Sequence, residues 1–131
     1  MQRLLMIAGT ALLALTVQAS AEGDATKGEK VFKKCAACHA VGEGAKNKVG
    51  PQLNGIVGAP WGRIEGYKYS ANLVELSDGK VWDEESLAVY LTKPKDLIPK
   101  GKMAFAGLRK EEDRANVIAY LAQYADDGTT Q

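Results

Sequence analysis

Both cysteines of this 131-residue chain, Cys35 and Cys38, and its single histidine, His39, lie in the stretch KVFKKCAACHAVG. Two thiols and an imidazole at this spacing can serve as a dithiol redox pair, as part of a zinc site, or as the attachment point of a haem. A thioredoxin-like dithiol sits at a helix start beside a sheet. Here the pair follows a helical pattern, and no segment shows strand alternation. Zinc takes about four N, S or O ligands. The chain offers no second Cys or His cluster, and nothing in the sequence nominates a carboxylate to complete the set. Haem attachment uses all three residues. The thiols add to the two vinyl groups and become thioethers, and the histidine that follows supplies one axial nitrogen.

The opposite axial position can be sought by elimination. Of the three methionines, Met1 and Met6 lie in an apolar N-terminal segment. Met103 remains, in a stretch broken by proline and glycine before the last helical pattern. A thioether favours Fe(II) and raises the reduction potential. Lys100, Lys102 and an open position are the competing readings, and a methionine can equally fill a gap in a core. With His39 and Met103 both bound, no seat remains for oxygen, peroxide or substrate. One-electron exchange through an exposed haem edge is the chemistry left.

The N-terminal segment, residues 1–21, reads as a secretory signal. Arg3 supplies its positive end, Leu4 to Val17 is an apolar run too short to span a bilayer comfortably, and Ala19-Ser20-Ala21 is a small-x-small cleavage site. Cleavage after Ala21 leaves a domain over residues 22–131, and an uncleaved anchor is the alternative. Only Arg3 of the 17 basic residues lies in the signal, which leaves 16 against 16 acidic. So balanced a chain lacks the basic surplus that nucleic-acid binding needs. Export implies an oxidising compartment. A disulfide across so small a loop would remove little unfolded-state entropy, which argues against a stabilising bridge.

The elements that must position these groups are few. Asp24 can cap a helix running to Cys35, with Ala25, Gly28, Phe32 and Cys35 on one face. Gly28 is costly inside a helix and predicts a close packing partner. From Ala40 to Tyr69 glycine and proline recur too often for regular structure. A loop this long is unusual inside a compact domain, and makes sense if it wraps something other than protein. Ser70 to Glu75 can form a short helix, and Asp83 caps a firmer one reaching Thr92. Pro94 and Pro99 bound another irregular stretch. The last helix runs from Lys110 to Ala125, with Val117, Leu121 and Tyr124 in a stripe and Ile118 and Tyr120 beside it. The fold class is all-α with long loops. Its aliphatic core is thin enough to benefit from a large apolar guest.

Taken in order, CAACH, GPQLNGIVG, GYKYSAN, VW, YLTKPKDLIPKGKMAFAG and VIAYL make the chain resemble the class I c-type cytochromes, of the soluble bacterial kind akin to mitochondrial cytochrome c. The resemblance runs from Gly23 to Tyr124. It implies about four to five helices and long loops wrapped around one haem c, covalently attached through Cys35 and Cys38, with His39 and Met103 axial. It also implies that the Pro51 carbonyl accepts the His39 imidazole N–H. Tyr69 and Trp82 would donate to a buried haem propionate, Tyr90 would approach the Met103 sulfur, and Asn72 would hold a nearby polar network. Phe105 would cover the haem edge. Gly28 and Phe32 would meet Val117 and Tyr120 where the first and last helices cross. The sequence departs from the family pattern twice. Ala59 stands where the pattern often has an arginine near a propionate, with Arg63 a possible substitute. Gly101 stands where it often has a threonine.

Lysines flank the haem motifs, at Lys33, Lys34, Lys46, Lys48, Lys93, Lys95, Lys100 and Lys102, whereas acids gather at 83–85, 111–113 and 126–127. Such a division gives a basic rim that steers association with acidic partners. A solvated mixed surface is the alternative. The resemblance therefore implies a monomeric periplasmic carrier without a catalytic base or nucleophile. It would accept electrons from a membrane quinol-oxidising cytochrome complex and pass them to a terminal oxidase, a photosynthetic reaction centre or another reductase. Docking would use Lys33, Lys34, Lys46, Lys93, Lys95, Lys100 and Lys102. The alternative is a haem peroxidase or gas-ligand sensor in which Met103 leaves the iron, and a thiol oxidoreductase is a third reading.

Overall fold

The computed structural model describes residues 23–131, and the segment read as a signal, with its cleavage after Ala21, lies outside them. Five helices follow in order: α1 (Ala25–Phe32), α2 (Ala71–Leu76), α3 (Glu84–Thr92), α4 (Pro94–Leu97) and α5 (Glu111–Ala122). Among the described residues β-pairing is limited to two isolated antiparallel bridges, Pro60 with Val81 and Tyr124 with Thr130. No described helix is long and apolar enough to cross a membrane.

Three helix starts follow from single capping residues. The Asp24 carboxylate accepts from Thr26 N–H and Lys27 N–H, Ser70 from Leu73 N–H, and Asp83 from Ser86 N–H. Each cap satisfies amides that have no partner within the helix. Acidic residues fill the first turns of α3 (Glu84, Glu85) and α5 (Glu111, Glu112, Asp113), where the helix dipole favours negative charge.

Several elements differ from the sequence expectation, among them α2, which starts at Ala71 and ends at Leu76 in place of Ser70 to Glu75. Helix α1 stops at Phe32, short of Cys35, because the amides of Lys33, Lys34 and Cys35 reach back only three residues. Lys34 N–H bonds to Val31 O at 3.0 Å and Cys35 N–H to Phe32 O at 2.7 Å. Such bonds wind the chain more tightly and end the regular helix. The stretch between Pro94 and Pro99 is not wholly irregular. Pro94 starts α4, where its missing N–H costs nothing and its fixed φ suits the first turn. Helix α5 spans less than Lys110–Ala125, since its last bonds close at Gln123.

The core forms where α1 packs on α5 and α3 packs on α4 and α5. Phe32 from α1, Leu87 and Leu91 from α3, and Val117 and Leu121 from α5 are buried in it. At the α1–α5 crossing a Cβ on Gly28 would overlap the Asn116 carbonyl and crowd Tyr120 Cβ, so these, ahead of the expected Val117, are its nearest neighbours. The Asn116 side chain accepts from Asp24 N–H at 2.8 Å and ties the start of α1 to the same point. Phe32 meets Tyr120 with ring centroids 5.4 Å apart. Gly107, at φ 119°, lets the chain leave the Met103 loop against the Thr92 carbonyl, where a side chain would not fit.

Gly28→Ala should cost about 1–3 kcal/mol despite alanine's better helix propensity, because the added methyl forces two backbones apart. Guanidinium unfolding of the purified protein would measure it. A midpoint equal to wild type would contradict the close-contact account.

Candidate functional site

The turns after α1 carry the cysteines and the histidine. Cys38 N–H and His39 N–H both bond to the Cys35 carbonyl, at 3.1 and 3.0 Å. The two thiols are half-buried and not joined to each other. Burial pushes the Cys35 thiol up, with Lys34 opposing and Cys38 reinforcing. A thiol held protonated is a poor nucleophile, which weighs against dithiol exchange. Among the described residues no three His, Cys, Asp or Glu side chains gather to hold a metal, which weighs against zinc.

His39 is oriented by one bond, from Nδ1 to the Pro51 carbonyl at 2.7 Å. A carbonyl only accepts, so Nδ1 carries the proton and Nε2 keeps its lone pair. Burial lowers the His39 pKa, against the Pro51 carbonyl, which raises it, while Lys48 lowers it further. The neutral, ligating form is therefore favoured. Gly50 lies against the ring, where a Cβ would overlap the imidazole. Side-chain bonds order the loop around it. Buried Asn54 accepts from Gly42 N–H at 2.8 Å and donates to Gly42 O at 2.9 Å.

Helix α3 positions the groups around Met103. The Tyr90 hydroxyl donates to Met103 Sδ at 3.3 Å. Burial, with a smaller contribution from Tyr67, pushes its phenol up to about 12, so it stays a donor through neutral pH. Three further bonds hold the loop before Met103. Asn72 accepts from Lys100 N–H at 2.8 Å, Lys95 Nζ donates to Gly101 O at 3.1 Å, and Lys102 Nζ donates to Lys68 O. The Lys102 ammonium also lies 5.2 Å from the Tyr67 ring centroid, and the Tyr67 hydroxyl donates to Val49 O at 2.7 Å. These contacts link the Met103 loop to the segment that precedes Pro51. Phe105 is half-buried against the core.

Tyr69 accepts from Ile64 N–H at 3.1 Å, which leaves its own proton to donate. Trp82 is buried, 4.9 Å from the Tyr90 ring and stacked on Trp61 at 4.4 Å and 17°. Sequence reasoning passed over Trp61. The available signal was an indole isolated in a glycine- and proline-rich loop, with no helical or strand pattern to account for its burial. Arg63 Nη1 pairs with Asp126 at 3.3 Å, and Nη2 donates to the Asn54 carbonyl. Ala59 is buried and offers no donor.

These groups fit a covalently held haem: two thiols in one turn, a neutral imidazole with Nε2 free, and a thioether held by a phenol. Two buried nitrogens without protein partners, Trp61 Nε1 and Arg63 Nε, leave room for the acceptor groups such a cofactor carries.

Comparison with known proteins agrees. The profile of the family described as Cytochrome c matches residues 25–125. The chain is 56% identical over 104 residues to cytochrome c-550 of Ancylobacter novellus, covering 79% of this chain and 97% of that one. It is 44% identical over 124 residues to cytochrome c2 of Blastochloris viridis, covering 95% and 96%. The solved structure of cytochrome c2 from Rhodospirillum centenum superimposes with a TM-score of 0.74 at 39% identity, covering 79% of this chain and 99% of that one.

Gly50→Ala should push the imidazole off the Pro51 carbonyl. With the carbonyl that raises its pKa lost, the buried ring should then protonate at a lower pH than in wild type. An acid titration of the haem-loaded protein followed by visible absorbance tests this, and superimposable curves would contradict it.

Proposed function

This chain belongs to the cytochrome c family, and from that premise we propose that it is a periplasmic electron carrier whose haem is clamped between His39 and Met103. One haem c is joined to the chain through Cys35 and Cys38. When bound it supplies one-electron exchange between Fe(III) and Fe(II). The protein's contribution would be to keep His39 and Met103 in place as the donors that hold the iron in both oxidation states.

The observation that carries this reading is the Tyr90 O–H to Met103 Sδ bond at 3.3 Å. A methionine that merely fills a core gap needs no donor on its sulfur. Its partner across the site, His39, is constrained in the same way by Pro51. The bonds from Asn72, Lys95 and Lys102 tether the Met103 loop on three sides. That tethering favours permanent ligation over the alternative of a peroxidase or gas sensor in which Met103 leaves. Tyr69 and Trp82 are assigned as donors to a haem propionate, and Phe105 as cover for the haem edge. The c2 and c-550 relatives support carriage between a membrane quinol-oxidising cytochrome complex and an oxidase, a photosynthetic reaction centre or another reductase.

Partners would dock through Lys33, Lys34, Lys46, Lys93, Lys95, Lys100 and Lys102, all of which are exposed. Five acids, Glu84, Glu85, Glu111, Glu112 and Asp113, sit in the first turns of α3 and α5, where they also stabilise those helices. A lysine rim speeds encounter with an acidic surface, and its attraction is screened within about 10 Å at 0.1 M salt.

Met103→Ala should remove the long-wavelength sulfur-to-iron absorption of the oxidised protein and lower its midpoint potential. A variant with both properties unchanged would exclude Met103 as a ligand. Stopped-flow electron transfer with an acidic redox partner should slow steeply as salt rises, and Lys→Glu changes at Lys33, Lys46 and Lys100 should weaken that dependence. A flat salt response would contradict docking through the lysines.

A further inference from the structure

Among the described residues, two buried side-chain nitrogens or oxygens lack a hydrogen-bond partner, and they lie on one short loop: Trp61 Nε1 and Arg63 Nε. Folded proteins rarely bury such donors unpaired, because each then carries its full desolvation cost. Two orphans on residues two apart in one loop point to a shared acceptor. Both groups donate and neither accepts, and one is a permanent cation. The matching acceptor is an anionic oxygen.

The surroundings hold both donors in place. Trp61 is only 7% exposed. Its ring is stacked on Trp82 at 4.4 Å, and Lys80 Nζ lies 5.8 Å from its centroid. The terminal nitrogens of Arg63 are already engaged, Nη1 by Asp126 and Nη2 by the Asn54 carbonyl. Its Nε is therefore the remaining arm of the fork. Tyr69, with its own proton free to donate, belongs to the same loop region, and Arg63 is close enough to act on its phenol. The Asp126 carboxylate is already taken by Nη1, and the further carboxylates at hand are the two propionates that a haem carries.

We infer that Trp61 Nε1–H and Arg63 Nε–H form a donor pair that seats one haem propionate. The arginine thus reaches the carboxylate from position 63, while position 59 holds a buried alanine. This rests on the covalent haem c of the family reading and is independent of Met103 ligation. An ionised carboxylate on two N–H donors, one of them cationic, is stabilised against protonation. Its ionisation is then linked to the oxidation state of the iron beside it. The charged and titratable groups around the seat are Arg63, Asp126, Lys80 and Tyr69, with Tyr90 behind Trp82.

The test is the midpoint potential of the purified holoprotein measured across pH, in wild type, Trp61→Phe and Arg63→Gln. Trp61→Phe keeps an aromatic ring on Trp82 and removes the N–H along with part of the indole. Arg63→Gln removes the cation. Each should raise the pH of the redox-linked propionate ionisation, Arg63→Gln by about tenfold or more in proton affinity. The infrared redox difference spectrum should show the protonated-carboxyl band persisting to higher pH. Potential curves and carboxyl bands superimposable on wild type in both variants would overturn the assignment. The sulfur-to-iron absorption is recorded alongside. Its absence in wild type would sink the Met103 reading and leave the comparison of variants intact.

Discussion

The 2.7 Å bond from His39 Nδ1 to the Pro51 carbonyl is the constraint on which the rest of the crevice depends. It settles which imidazole nitrogen carries a proton and which keeps a lone pair. It also requires the chain to return from Cys38 and pass close behind the ring, so position 50 must be glycine. The loop that makes this return has no regular structure. Its order comes from specific bonds, Asn54 to both polar groups of Gly42 and Leu53 N–H to the Ala40 carbonyl at 2.9 Å. A long loop is therefore as well determined here as a helix would be, through side-chain and backbone pairing in place of a repeating ladder.

Helix α3 joins this crevice to the hydrophobic core. Leu87 and Leu91 are buried in the core, while Tyr90 reaches the Met103 sulfur. Packing of α3 on α5 therefore fixes the phenol, and the phenol fixes the thioether. The α1–α5 crossing acts at the other end, since the motif turns leave directly from α1. Both donors assigned to the iron thus trace back to one core, in which α5 is the common partner.

Much of this was legible in the sequence because it depends on local chemistry. Asp24 and Asp83 cap helices where their spacing before apolar residues said they would, whereas Ser70, expected as the first residue of a helix, caps it from outside. Gly28 advertised a close approach because glycine is otherwise costly in a helix. The Cys-x-x-Cys-His spacing named its own chemistry, and the agreement of the family profile over 25–125 with the motif order settled the fold class. What stayed hidden depends on contacts far apart in sequence. Nothing local tells that Asn116 accepts from Asp24, or that Trp61 stacks on Trp82. The end of α1 before Cys35 was also hidden, because the shift to shorter bonds is a matter of winding and not of residue type.

The link from Lys102 through Lys68 and Tyr67 to Val49 has a consequence for how such a site can drift over generations. Its acceptors are main-chain carbonyls, at Lys68 and Val49, while its donors are side chains. Val49 is 74% exposed, and its own side chain takes no part in that bond. Mutations at 49 or 68 can accumulate without disturbing the strap, whereas those at 67 or 102 break it. A region can therefore look variable letter by letter while its geometry is inherited unchanged.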